Sequence, residues 1–430
     1  MSTTPVVISP DRSLVARVEK LSRQNVLSCY QCGRCTATCP FSFNPQQVLR
    51  RVQLGQVKEA AKLATTWRCA SCFSCVVACP KGVDPPRVMQ ALRTMAKRGD
   101  FGRRHRKGHR ARSRLVAANH ETARLGSRLA PVSNWVLNLP GAGLATEAAL
   151  GVDRSRRMPE FSRPSFASWF AHHRAAGDGH NGPVQLFVDT YMDFNFPGIG
   201  IAATELLERA GFAVSLAGNA CCGRPMISKG YLEMAAAKAR ANVEILLPAA
   251  RQRVPIVGCE PSCLLTFHRE YPDLLAASGL EAEAMEVASQ VVAIDAFLDS
   301  LLQSGRLELT FDPLKVGGRP VIFHGHCHQK VFSDPEAALR LLRAAGFDAD
   351  IANASCCGMA GSFGYEKENR DLSRQAWERD LLPAIEGQPG AELVVMGISC
   401  RQQADHFTSQ RPRHLAEMLR DALVEMKAQG

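Results

Sequence analysis

Aromatic residues make up only 7% of these 430 residues, and no long uninterrupted apolar run is present. The first thirty, MSTTPVVISPDRSLVARVEKLSRQNVLSCY, lack a basic start followed by an apolar stretch and a small-residue cleavage site, so no secretory signal is expected. The longest uncharged stretch, beginning at Leu129, is broken by Pro131, Asn134, Asn138, Pro140, Gly141 and Gly143 and would make a poor transmembrane helix. A cytoplasmic chain with no transmembrane span is the expectation, free or peripheral on the inner face of the membrane. Acidic residues are scarce in one segment. Between Lys97 and Arg128, eleven Lys or Arg stand against Asp100 and Glu121 alone, leaving only about +2 of the net +11 for the rest of the chain. This segment reads either as a docking arm for an acidic partner or an anionic membrane surface, or as a solvated linker. Only Phe101 interleaves its arginines, which argues against nucleic acid.

Cysteine is what the chain has in excess, sixteen in all. In a reducing compartment these cannot be a disulfide framework, and they point to metal. Eight fall in two combs of the form C-x2-C-x2-C-x3-C-P: Cys29, Cys32, Cys35 and Cys39 before Pro40, and Cys69, Cys72, Cys75 and Cys79 before Pro80. In such runs three cysteines hold one 4Fe-4S cluster and the fourth reaches the neighbouring one. The expected ligand sets are therefore Cys29, Cys32, Cys35 and Cys79 for one cluster, and Cys69, Cys72, Cys75 and Cys39 for the other. Structural zinc, the competing reading, usually pairs two cysteines with two more at a distance. Through GRCTATCP and WRCASCFSC this part resembles the small iron–sulfur subunit of heterodisulfide reductases.

From residue 183 onward short apolar runs such as VQLFVD, VPIVG, RPVIFHG and ELVVMG alternate with helical patterns, the signature of α/β architecture with a parallel sheet. The pattern repeats: LLERAGFAVSLAGNACCG and LLRAAGFDADIANASCCG align at a shift of 135. The predicted fold is α+β overall. An all-helical, ferredoxin-like dicluster domain (1–95) and a basic, Pro- and Phe-containing connector (96–182) precede two Rossmann-like cysteine-rich CCG domains (183–310 and 311–430). Trp135, Phe161, Phe166, Trp169 and Phe170 are expected to pin the connector to a domain surface.

The first repeat carries Cys221, Cys222, Cys259 and Cys263, the second Cys327, Cys356, Cys357 and Cys400. Adjacent cysteines would form only a strained disulfide, so shared metal ligation is the better use for them. Gly223 and Gly358 beside them let backbone N–H groups approach a cluster. Cys327 aligns with Met192 and Cys259 with Met396, so each half lacks a different member of one five-cysteine set. His326 and His328 flank Cys327 and are candidate non-cysteine groups at a cluster edge, although histidines there more often serve packing. The glycines at 358, 361 and 364 do not follow a strand as a dinucleotide fingerprint requires, and no FAD or NAD site is expected in this chain.

The CCG pattern resembles the cysteine-rich domain of the catalytic subunit of heterodisulfide reductase. The stretches DTYMDFNFPGIG, EPSCLLTF, HGHCHQK, CCGMAGSFGYE and SCRQQ are more similar to the C-terminal half of FAD-linked D-2-hydroxy acid dehydrogenases. The resemblance implies one or two further iron–sulfur clusters, cubane or noncubane. It also implies an electron-transfer subunit working with an FAD-containing partner that acts on a D-2-hydroxy acid such as D-lactate, glycolate or D-2-hydroxyglutarate. One alternative is a heterodisulfide reductase-like subunit whose CCG cluster itself reduces a disulfide. Another is a non-enzymatic, metal-stabilised binding module.

Overall fold

The structure, a computed structural model, describes residues 11–101 and 110–425. Residues 102–109 of the basic segment lie outside the described residues. The chain divides into two compact units: residues 1–109 with 227–231, and residues 110–226 with 232–430.

In the first unit every regular element described is a helix or a 3-10 turn. The two combs are built alike, forty residues apart. Gln31 and Ser71, Gly33 and Phe73, and Ser42 and Gly82 share positive φ at equivalent places. Those left-handed residues coil each loop around its own thiols. Each comb then runs into a helix started by an Asx cap and proline. Asn44 accepts from the Gln47 N–H at 3.0 Å ahead of helix Pro45–Gln53, and Asp84 accepts from the Arg87 N–H at 3.2 Å ahead of helix Pro85–Arg98. A capping oxygen satisfies N–H groups the helix cannot, and proline at the first position costs no hydrogen bond. Val48, Leu49 and Val52 of the first helix pack with Val88, Leu92 and Met95 of the second, along with Val18 and Val57.

The second unit holds two four-stranded parallel sheets. Strands β1 (Pro183–Phe187), β2 (Ala213–Leu216), β3 (Ile256–Gly258) and β4 (Val291–Ala293) lie in the order β2-β1-β3-β4. Strands β5 (Pro320–His324), β6 (Asp348–Ile351), β7 (Glu392–Val395) and β8 (Arg413–His414) repeat that order as β6-β5-β7-β8. Val184 pairs with Val214 in the first sheet and Val321 with Ala349 in the second, so the internal repeat of the sequence is a repeat of topology. The repeats share a core in which Val184, Leu206 and Phe166 cluster with Phe323, Leu342 and Met418. The last helix, Leu415–Asp421, packs against helix Pro197–Arg209 of the first repeat, where Arg420 pairs with Glu205 at 3.0 Å. Burial of this apolar seam makes the repeats one body.

Ahead of the first sheet, the second unit forms helices Arg110–Ala117, Asn119–Arg128, Ala130–Leu137 and Ala142–Leu150 where only a connector was expected. Phe166 is buried, with Trp169 stacked on it and Phe170 edge-on to it, and the ring of Phe161 lies against Gly126. Trp135, in contrast, is 63% exposed and pins nothing. Arg112 of the basic segment is also withdrawn from docking: it is buried and bonded to Glu366, Glu368 and the carbonyl of Gly151. Among the described residues no helix is long and apolar enough to cross a membrane.

Candidate metal centres

The left-handed loops turn the comb thiols toward one another. Burial raises Cys29, and the charges of Cys79 and Cys32 add to the rise. Burial pushes Cys39 up to about 11, and the thiols acting on it are Cys72 and Cys69. Cys75 is raised well above a free thiol by burial and by Cys69, Cys72, Cys39 and Cys35. The fourth cysteine of each comb thus has thiols of the other comb for neighbours. Cys39, Cys69, Cys72 and Cys75 line one small apolar cavity walled by Phe41, Phe43, Phe73, Pro86 and Met89. Among the described residues no three His, Cys, Asp or Glu side chains close on a single ion. The thiols rim a cavity instead, and this donor set fits a 4Fe-4S cluster, whose metal charge would offset the mutual repulsion of the thiolates. Arg93 is a partner the sequence did not advertise. It is buried, donates to the carbonyls of Thr66 at 2.6 Å and Cys69 at 2.8 Å, and its charge offsets part of the burial effect on Cys69.

In the repeats each CCG follows a strand's loop, and the partner cysteine is the third residue of a helix. Cys222 and Cys263 lie 3.0 Å apart in the first repeat, with Cys221 beside them. Although the Cys222 thiol donates to it, burial and the Asp189 and Glu260 carboxylates push Cys263 up to about 11. In the second repeat Cys357 donates to Cys400, and Cys327 and Cys356 are the other thiols acting on Cys400. Four thiols converge there. Cys259 differs from the other candidates: it lies in the core shared by both sheets, apart from the core holding Cys222 and Cys263, and is raised by burial, then by Asp189, Asp295, Glu260 and Glu417. Gly223 and Gly358 have φ of +81° and +90°, a conformation that costs any other residue. The N–H of Gly358 reaches the Cys356 sulfur at 3.4 Å.

His326 and His328 face each other with ring centroids 5.1 Å apart, and His326 Nδ1 accepts from the His328 backbone N–H at 3.1 Å. The His326 ring fills the space where a side chain on Gly397 would stand. His324 is fully buried, burial holds it well below the ordinary imidazole range, and neither ring nitrogen has a hydrogen-bond partner.

Sequence reasoning overlooked a buried acidic group. Burial, followed by the charge of Glu260, pushes Asp189 up to about 7, and burial pushes Asp295 up to about 6. A signal was present in C-E-P-S-C, since an acidic residue before a proline at a helix start is a cap. It also overlooked a cavity of about 640 Å³ beside the first CCG loop, lined by His120, Arg124, Arg128, Arg163, Asp193 and Asn219 among others. His120 Nδ1 lies 3.0 Å from the Thr190 hydroxyl, which hydrogen-bonds Cys221.

Known families account for the same segments. A 4Fe-4S dicluster domain matches residues 28–83, and the Cysteine-rich domain matches residues 187–268 and 321–405. The C subunit of the anaerobic glycerol-3-phosphate dehydrogenase of Escherichia coli (strain K12) is 30% identical over 302 residues, 69% of this chain and 73% of that protein. The lactate utilization protein A of Shouchella clausii (strain KSM-K16) is 32% identical over 223 residues, 50% of this chain and 87% of that protein. The D-2-hydroxyglutarate dehydrogenase of Escherichia coli (strain K12) is 26% identical over 322 residues, 72% of this chain but only 30% of that protein. With doubled combs, two CCG repeats and similarity over most of its length, the chain is an iron–sulfur electron-transfer subunit and belongs to the family of the C subunit of the anaerobic glycerol-3-phosphate dehydrogenase.

Proposed function

We propose that this chain relays electrons between a flavin-bearing dehydrogenase subunit and a separate acceptor, the dehydrogenase acting on a small anionic alcohol such as a D-2-hydroxy acid or glycerol 3-phosphate. The observation that carries this reading is that the fourth thiol of each comb has thiols of the other comb for neighbours. Iron–sulfur clusters supply one-electron carriers when bound. Cys29, Cys32, Cys35 and Cys79 would hold one and Cys69, Cys72, Cys75 and Cys39 the other; Phe41, Phe43 and Phe73 exclude water from the second. Shared ligands keep the two sets close within one small helical domain. Cys327, Cys356, Cys357 and Cys400 would hold a further cluster, and Cys221, Cys222 and Cys263 donate to a site in the first repeat. Leu125, Leu129, Val132, Trp135 and Val136 stand exposed next to Arg124 and Arg128, which supports peripheral attachment at an anionic membrane surface.

The test is anaerobic purification with the native partner, followed by addition of the hydroxy substrate. The expected result is a copurifying flavin and bleaching of the iron–sulfur absorbance. Reduction of flavin without bleaching would contradict the reading. Disulfide reduction by the isolated chain with an artificial donor would favour the heterodisulfide reductase-like reading instead.

A further inference from the structure

We propose that Glu260 is a positioning residue shared by the two repeats, one carboxylate oxygen anchoring the helix that carries Cys263 and the other the helix that carries Cys400. Both thiol sets then sense one buried negative charge. The inference rests on the reading that these thiols hold clusters, and it concerns how the protein sets their potentials.

Glu260 is the N-cap of helix Pro261–Arg269. Its Oε1 accepts from the Ser262 N–H at 3.2 Å and from the Ser262 hydroxyl at 2.6 Å. Its Oε2 accepts at 2.9 Å from the N–H of Ile398, the first residue of helix Ile398–Phe407 in the other repeat. That helix has no cap of its own. With Cys263 aligned on Cys400, the counterpart of Glu260 is Gly397, which offers no side chain and could not carry one, because the His326 ring lies 2.2 Å from where its Cβ would be. The first N–H groups of a helix need a partner outside it, and the first repeat supplies one for both helices.

Each helix presents its cysteine in its first turn: the Cys263 N–H bonds the Glu260 carbonyl at 3.0 Å and the Cys400 N–H bonds the Gly397 carbonyl at 3.1 Å. A buried carboxylate beside thiolate ligands disfavours an added electron, and net charge and hydrogen bonding are the means by which a protein sets cluster potential. Glu260 bears electrostatically on Cys263 and on Cys400. A single residue is therefore placed to keep the two sites in step.

The experiment compares the full chain, purified anaerobically with its partner, with Glu260→Gln and Ile398→Pro by iron content and EPR-monitored redox titration. Glu260→Gln keeps an acceptor and removes the charge. It is expected to leave iron content and the comb signals unchanged and to raise the midpoints of both repeat sites. Ile398→Pro removes the N–H that reaches Glu260 and trims a buried side chain; proline is tolerated at a first helical position, Pro261 occupies the equivalent one, and Gly397 is already extended. It is expected to lower the second site's midpoint and leave the first unchanged. Midpoints that stay put in Glu260→Gln, or move in one repeat alone, would overturn the inference. Should Glu260→Gln fail to fold, an Ile398→Pro chain with the second midpoint unmoved overturns it equally. Repeat sites without iron in the unaltered chain would overturn instead the reading beneath it.

Discussion

In the first repeat, β1 to β4 bring Cys221, Cys222 and Cys263 together and leave Cys259 among Asp189, Asp295, Glu260 and Glu417. In the second, the same strand order brings Cys327, Cys356, Cys357 and Cys400 into one group. The scaffold fixes two features in both: a CCG with a left-handed glycine, and a cysteine in the first turn of a following helix. The remaining ligand is free to differ. By strand register, where the second repeat has Cys327 the first has Thr190, and where the first has Cys259 the second has Met396, which is fully buried and fills core. The strand registers set Asp189 opposite His326, each two residues past the end of its strand, an acid opposite a base. Duplication preserved the frame, while the polar contents of the two sites diverged.

The largest effect that probes this contrast is metal content. Cys400→Ser should remove the second repeat's cluster, a loss of about four irons per chain. Cys259→Ala should retain iron and lose on the order of 1 kcal/mol from a small core deletion. Equal iron loss in both variants would place Cys259 with the other thiols and erase the difference between the repeats.

Next come the two CCG glycines, whose surroundings are unequal. A Cβ on Gly358 would stand 2.3 Å from the Ser373 carbonyl oxygen, whereas one on Gly223 would meet nothing closer than 3.5 Å. Gly223→Ala should cost about 1–2 kcal/mol, the cost of a left-handed alanine. Gly358→Ala adds a backbone clash and should cost roughly 4 kcal/mol or more. Denaturant unfolding of the two variants measures the gap, and similar losses would contradict it.

The smallest effect is in pH dependence, where Asp189 and His324 should act with opposite sign. Asp189 rises from 3.8 to about 7 on folding, so between these values the folded state holds a proton the unfolded state has lost. Its contribution to stability therefore falls as pH rises across that window, at about 1 kcal/mol per unit. His324 is held well below 6.5, so stability falls as pH drops through 6.5 and the unfolded state takes up the proton. Asp189→Asn should flatten the decline toward pH 7, and His324→Gln the decline on the acidic side. Thermal denaturation across pH decides this, and unchanged slopes would contradict the assigned environments.

Much of this was legible in the residues. Comb spacing suggested that Cys39 and Cys79 reach toward the other comb, and the structure places Cys69 and Cys72 near Cys39 and Cys79 near Cys29. The apolar runs at 183–187, 256–258 and 392–395 announced their strands through β-branched content and turn signals. The helices at 110–128 were hidden because basic residues mask their periodicity and those at 130–150 because proline and glycine punctuate them and no apolar stripe stands out, and Trp135 looked like an anchor only because large aromatics usually are. The acidic setting of Cys259 could not be read at all. It depends on how two sheets far apart in sequence share a core, and an alignment of repeats carries no information about the seam between them. The double capping by Glu260 was hidden for the same reason.

The most direct test is iron and sulfide per chain in protein purified anaerobically with its partner. An electron-transfer subunit loaded in the combs and in at least one repeat should contain about twelve irons or more, matched by sulfide. Stoichiometric zinc with iron near zero would contradict that account.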